Sequence, residues 1–112
     1  MNIQTVRKEP DILWVSFEGE MDYHVSTALR DQMNKILETK PAKILLDFAK
    51  VTYMDSSGIA AFVEFSQKAK AFRSRIVFTN LTEPVRQVFT LAKLHLFFSI
   101  ADSEQDALKI LA

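Results

Sequence analysis

Short runs of β-branched and aromatic residues alternate with amphipathic helical patterns along the chain, and this alternation restricts the fold more than any other feature. In the helical patterns apolar residues recur every three to four positions, whereas the strand-like runs are short and bounded by turn residues. The predicted strands are Ile3–Arg7, Ile12–Phe17, Lys43–Phe48, Arg75–Thr79 and Leu96–Ile100. The predicted helices cover Val25 to about Glu38, Asp55 to about Phe72, Pro84 to about Ala92, and Glu104–Leu111.

The element order β-β-α-β-α-β-α-β-α predicts an α/β protein with one mixed sheet of about five strands and helices packed on it. A turn at Glu9-Pro10-Asp11 pairs the first two strands as an antiparallel hairpin, and the later strands run parallel. The near-continuous apolar run Ile44–Phe48 is typical of a central strand covered on both faces. No linker or repeat interrupts the pattern, so residues 1–112 form a single predicted domain.

The stretch Asp55-Ser56-Ser57-Gly58 lies between the predicted central strand and the second helix, at the start of that helix. Short oxygen-bearing side chains cap a helix N-terminus, and an anion is stabilised there by the unpaired N–H groups and the helix dipole. One serine is therefore expected as a cap, while Gly58 leaves the first turn open to the close approach of a partner. From the residues alone, two interpretations are equally open: the serines serve only as helix caps, or one of them is a functional serine that can be modified.

Composition excludes several classes of function. Fourteen basic residues balance fourteen acidic ones, so the chain lacks the excess of positive charge that is typical of nucleic-acid-binding proteins. The absence of cysteine excludes disulfides and thiolate chemistry. The apolar runs are too short for membrane insertion, and residues 1–9 lack the apolar core of a signal peptide. We therefore expect a cytoplasmic location.

Catalytic and metal sites are not indicated. His24 and His95 are the two histidines, too far apart for a helical metal pair, and His24 is expected as an exposed or capping residue. The Gly-x-Ser-x-Gly elbow of a serine hydrolase is absent, so we expect no enzyme. A phosphate-accepting aspartate at Asp47 or Asp55 fits the element order poorly, and Asp47 is interpreted as a polar strand residue.

Two segments carry a family resemblance. The string from Tyr53 to Ala60, Tyr-Met-Asp-Ser-Ser-Gly-Ile-Ala, resembles the signature of the STAS domain as found in bacterial anti-sigma factor antagonists. The segment Phe-Glu-Gly-Glu-Met-Asp, which ends at Asp22, is similar to the family's Gly-Glu-hydrophobic-Asp segment before the first helix. The start of the third helix at Asn80–Pro84 and its end at Leu91–Leu94 agree as well.

The resemblance implies a regulatory role. An anti-sigma factor with serine kinase activity would phosphorylate Ser56, beside the acidic position matched by Asp22, and a serine phosphatase would restore the free serine. The unphosphorylated chain would bind the anti-sigma factor and thereby release a sigma factor, without a cofactor or metal. The implied partner-binding surface comprises Asp22, Tyr23, His24, Asp55, Ser56, Ser57, Gly58, Ile59 and Phe62. The alternative is a docking subunit of an ABC-type lipid-transport complex, which uses the same fold without phosphate turnover.

The chain departs from the family pattern in three places. Family members often have glycines before the fourth strand, where this chain has Ala71–Arg75, and Ala60 and Phe62 make the helix face near the serine bulkier.

Among the aromatic residues, Trp14 is expected in the core. Phe97 and Phe98 are neighbours in a predicted strand and cannot both face inward, so one of them is expected to be exposed or covered by the final helix.

Overall fold

The computed structural model describes residues 2–8 and 11–112. The elements are β1 (Asn2–Lys8), β2 (Ile12–Met21), α1 (Ser26–Glu38), β3 (Lys43–Met54), α2 (Ser56–Ala71), β4 (Arg75–Thr79), α3 (Glu83–Leu91), β5 (Ile100–Ala101) and α4 (Glu104–Leu111). Single 3₁₀ turns lie at Tyr23–Val25 and Leu94–Leu96. Of the predicted first turn, Glu9 and Pro10 lie outside the described residues.

Within the described residues the strands form one sheet in the order β1-β2-β3-β4-β5. β1 pairs antiparallel with β2, and the other neighbouring pairs are parallel. The prediction of a mixed five-stranded α/β sheet is therefore confirmed. No described helix is long and apolar enough to cross a membrane.

The helices cover both faces of the sheet, as the apolar run in β3 predicted. One face packs against α1, α2 and α3, and its centre is a cluster of fully buried rings contributed by Phe17, Phe48, Phe62, Phe78 and Phe89. The other face packs against α4, and it includes the predicted core residue Trp14, which is 7% exposed. Side chains of successive strand residues point to opposite faces, so β2 and β3 supply both layers.

One strand continues well beyond its predicted end. β3 was expected to end at Phe48 but runs to Met54, whereas β2 ends at Met21, within the segment Glu18–Asp22 where that strand was expected to end. Met21 and Met54 are register partners. The ladder shifts register between Ser16 and Glu18 and again at Gly19, whose φ is 112°. These irregularities break the period-two pattern by which a strand is recognised. The extension matters because it carries β3, paired with β2, to the neighbourhood of Ser56.

The predicted last strand is wrong in its position. Leu94–Leu96 forms a 3₁₀ turn, and the Phe97 and Phe98 N–H groups both donate to the Leu94 carbonyl. Only Ile100 and Ala101 pair with β4. Local turn bonds that follow the left-handed residue Lys93 thus override the strand propensity of the aromatic run. Phe97 is nevertheless 77% exposed while Phe98 stacks on a core ring, so of the two expected alternatives one residue is exposed, although the strand from which this was predicted does not form here.

Side-chain caps and turn geometry define several helix ends. The Ser103 hydroxyl accepts from the Asp106 N–H at 3.1 Å and caps α4. Asp22 caps the 3₁₀ turn rather than α1 itself. After α2, Arg73 adopts a left-handed backbone with φ of 59°. The turn therefore forms without glycine, in a conformation that is unfavourable for a residue with a Cβ atom.

Candidate functional site

The site lies where β2 and β3 end side by side. The Asp55 N–H donates to the Met21 carbonyl at 3.2 Å, which joins the start of α2 to the end of β2. The loop that follows β2 therefore passes directly beside the first turn of α2. This arrangement brings Asp22 and Ser56 to the same edge of the sheet although they are far apart in sequence.

Asp55 is the N-cap of α2. Its Oδ1 accepts hydrogen bonds from the backbone N–H groups of Ser57 at 2.9 Å and Gly58 at 3.3 Å. Its Oδ2 accepts from the Tyr23 N–H at 3.2 Å, so one carboxylate ties the helix to the β2–α1 loop. The expectation that a serine caps this helix is therefore wrong. Ser56 and Ser57 are the first two residues inside the helix.

Replacing Asp55 with Ala is expected to lower the free energy of unfolding by about 1 kcal/mol, because two first-turn N–H groups lose their acceptor. Urea denaturation followed by circular dichroism measures the loss. Asp55→Asn is the matched control, since asparagine is an equally good N-cap, and it should retain most of the stability. Equal losses in the two variants would contradict a capping role and point to the charge instead.

Ser56 is the exposed member of the serine pair, whereas Ser57 is partly buried. Among the described residues, none forms a hydrogen bond with the Ser56 hydroxyl, which stands at the first helical position. The next two backbone N–H groups already bind Asp55. A group attached to the Ser56 oxygen would thus extend outward, because the helix N-terminus offers it few free donors.

Gly58 has a structural role that differs from the expected one. A Cβ atom at this position would lie 2.9 Å from the Met21 carbonyl oxygen and 3.0 Å from Met54 Cγ. The glycine therefore lets α2 pack closely on the ends of β2 and β3. It faces the interior and is buried, so the interpretation of Gly58 as a point of approach for a partner is wrong.

Phe62 was also assigned to the partner surface, and the structure places it elsewhere. Its side chain is fully buried, and its ring lies 5.4 Å from that of Phe17 and 5.1 Å from that of Phe48, centroid to centroid. It is a core residue one helical turn beyond Gly58. Ile59 and Ala60 remain partly exposed, so they are the apolar residues of α2 that a partner can reach near Ser56.

Exposed aromatic side chains lie on the two chain segments next to the first turn of α2. Tyr23 is 74% exposed and Tyr53 is 48% exposed, on the β2–α1 loop and at the end of β3. His24 is exposed, and its backbone N–H donates to the Asp22 carboxylate at 3.0 Å. Tyr53 was missing from the sequence-based surface, although the structure exposes it just before the helix.

Asp47 has a structural role, in agreement with its interpretation as a polar strand residue. Its Oδ1 accepts hydrogen bonds from the Ala49 N–H at 3.0 Å and from the Asn80 side-chain amide at 3.2 Å. These bonds hold the chain at the carboxyl ends of β3 and β4. Within the part of the chain that the structure describes, no three His, Cys, Asp or Glu side chains cluster as in a metal site.

Known proteins resemble this chain over almost its whole length. The STAS domain family matches residues 4–107. An anti-sigma F factor antagonist of Paenibacillus polymyxa is 26% identical over 110 residues, which cover 96% of this chain and 94% of that protein. An anti-sigma-B factor antagonist of Bacillus subtilis (strain 168) is 28% identical over 94 residues, or 84% of each chain.

Solved structures agree with the fold. The anti-sigma factor antagonist SpoIIAA in its unphosphorylated form superposes with a TM-score of 0.80 at 22% identity, covering 98% of this chain and 96% of that one. The phosphorylated form of the Bacillus protein superposes with a TM-score of 0.72 at 20% identity, covering 99% and 100%. With the family match over residues 4–107, these likenesses identify the architecture. The chain belongs to the STAS domain family.

Proposed function

We propose that this protein is an anti-sigma factor antagonist that acts by binding rather than by catalysis. Its unphosphorylated form binds an anti-sigma factor with serine kinase activity and so frees a sigma factor, and phosphorylation of Ser56 ends the binding. A serine phosphatase then restores the active form, and all of these steps take place in the cytoplasm. Relatives from Paenibacillus polymyxa and Bacillus subtilis that carry the name of antagonists support this proposal.

The observation that carries the proposal is the exposed, unbonded Ser56 hydroxyl beside a fully capped helix start. A kinase can reach this oxygen without unwinding α2. Because Asp55 supplies the cap, the helix does not need the serine hydroxyl to stay intact. Chemical change at Ser56 is therefore expected to alter the surface of the protein and leave its fold unchanged.

The proposed binding surface surrounds this hydroxyl. It combines the exposed rings of Tyr23 and Tyr53 with the partly buried Ile59, and apolar and aromatic groups of this kind anchor protein interfaces. The remaining members are Asp22, His24, Asp55, Ser56 and Ser57. Gly58 and Phe62 contribute from beneath, since they hold α2 against the sheet.

Phosphorylation would act through local charge. A phosphoserine carries about −1.5 to −2 charge at neutral pH, and here it would join the carboxylates of Asp22 and Asp55. Two of the first-turn N–H groups that could accommodate an anion, those of Ser57 and Gly58, already bind Asp55. The added charge would therefore remain at the surface of the protein. A partner that docks there must strip the phosphate of its hydration water, and burying an unpaired charge strongly opposes association.

Intact mass spectrometry tests the modification. The purified chain, incubated with ATP and each anti-sigma factor kinase of the source organism, is expected to gain one phosphoryl group with at least one of them. Ser56→Ala should abolish the gain, whereas Ser57→Ala, the matched control on the neighbouring serine, should retain it. Uptake that persists in Ser56→Ala would contradict this acceptor. No uptake with any kinase would contradict the switch and favour a docking role without phosphate turnover.

A further inference from the structure

A cavity of about 460 Å³ lies between the second half of α2, strand β4 and the segment 94–99, away from the turn that carries Ser56. Small-molecule sites commonly have volumes of roughly 300–1,000 Å³, mostly apolar walls and a few convergent polar groups. We propose that this cavity binds a small amphipathic anion, namely a molecule with an alkyl body and one carboxylate. This inference does not depend on the proposed regulatory function.

The sheet and the segment after α3 supply the apolar walls. Ile76 and Phe78 project from β4, and Leu94 and Phe98 close the opposite side. Phe97 also lines the cavity although it is 77% exposed. An alkyl chain in this space would cover apolar surface that water contacts in the free protein, and such burial favours binding.

One face of α2 supplies the polar groups. Four residues of α2 line the cavity at intervals of three to four positions, so they lie along the same side of the helix. They are Val63, Ser66, Gln67 and Lys70. The Ser66 hydroxyl oxygen is buried and has no hydrogen-bond partner among the described residues, a state that costs free energy. Lys70 follows one turn later and forms no ion pair within the described residues. Rotation of the Ser66 side chain would turn its solvent-shielded hydroxyl toward the cavity without breaking an existing hydrogen bond, and a single carboxylate could then accept from both side chains.

Charge determines which kind of ligand fits. Lys70 is the one charged residue among those that line the cavity, and no acidic residue joins it. The nearby stretch from Phe65 to Arg75 contains Lys68, Lys70, Arg73 and Arg75 and no acidic residue. Lys70 would repel a cation, and a neutral molecule would gain no charge–charge interaction with its exposed ammonium group, whereas an anion would. The cavity is thus matched to an anion with an apolar tail.

Calorimetric titration of the full chain with sodium decanoate tests the proposal. Decanoate is expected to bind, and Lys70→Gln is expected to weaken the affinity about tenfold, the scale of a lost charged hydrogen bond. Lys68→Gln is the matched control, because the Lys68 ammonium donates to Asn34 instead of lining the cavity. Its affinity should stay within about twofold of the wild type. Decan-1-ol should bind more weakly than decanoate and should not respond to Lys70→Gln.

Two further measurements locate the site. Gln67→Trp places a large ring at the mouth from an exposed helix position and should abolish binding while the far-ultraviolet circular dichroism spectrum stays unchanged. In the wild-type chain, decanoate should shift the backbone amide resonances of Ser66, Leu94 and Phe98. Shifts confined to other parts of the molecule, equal effects of the two lysine variants, or no binding at all would overturn the proposal.

Discussion

Ser56→Asp is expected to weaken binding of the anti-sigma factor by about 30-fold or more while leaving the melting temperature nearly unchanged. The substitution places a permanent carboxylate beside Asp22 and Asp55, on the surface that the partner would cover. Leaving one unpaired charge at an interface costs about 2–5 kcal/mol, and each 1.4 kcal/mol is about tenfold in affinity. The fold should tolerate the change, because the Ser56 side chain is exposed and forms no hydrogen bond in the described structure. Calorimetry with the partner identified by the kinase screen measures the affinity.

Ser56→Asn separates charge from size in this experiment. Asparagine has nearly the shape of aspartate without its charge, so Ser56→Asn should lose less than about tenfold in affinity. Gln105→Asp adds the same charge to an exposed position in the first turn of α4 and should leave binding unchanged. Unweakened binding by Ser56→Asp would refute the charge mechanism, and a large drop in melting temperature would show that Ser56 is a structural residue.

Gly58→Ala is expected to lower the free energy of unfolding by about 1–2 kcal/mol. Two effects oppose each other: alanine favours a helix over glycine by about 1 kcal/mol, whereas overpacking costs about 1–3 kcal/mol and occasionally more. The clash should win because the nearest atom, at 2.9 Å, is the Met21 carbonyl oxygen. That oxygen belongs to the backbone and accepts the Asp55 N–H, so it cannot rotate away as a side chain could.

Urea denaturation measures this loss, with the midpoint and the slope fitted separately. Ser57→Ala is the matched control in the same helical turn, and its stability should stay within about 0.5 kcal/mol of the wild type. Gly58→Val should lose more than Gly58→Ala, because the larger side chain must displace α2 further. A Gly58→Ala protein as stable as the wild type would show that α2 can shift away from β2 at little cost.

The sequence predicted the architecture well because each element carries its own periodic signal. The alternation of strand-like and helical patterns gave the mixed sheet, and the apolar run in β3 gave the two covered faces. The prediction was wrong around Leu96–Ile100, where a turn fixed by Lys93 replaces most of the expected strand. Propensity describes single residues, whereas the pairing of β5 depends on contacts made elsewhere in the fold.

The site was predicted in location but not in the roles of its residues. Ser56 stands out in the sequence, yet the cap belongs to Asp55, because both residue types cap helices and the sequence does not show where the helix begins. From the sequence, Gly58 was interpreted as a point where a partner can approach closely, whereas Met21 and Met54 from two strands fill the space beside it. Such long-range packing leaves no local signal. Tyr53 was missed because β3 continues past its recognisable pattern.

The division of tasks in the first turn of α2 has an evolutionary consequence. Asp55 caps the start of α2, and Gly58 lets the helix pack closely on the strands. The residue at position 56 is therefore not needed for either structural role. Selection can therefore exchange the residue at position 56 with little loss of stability. An acidic residue there would give a lineage that is permanently released from its partner, and an alanine would give one that is permanently engaged. Under the proposed function, signalling by this domain could be rewired at one position without a new fold.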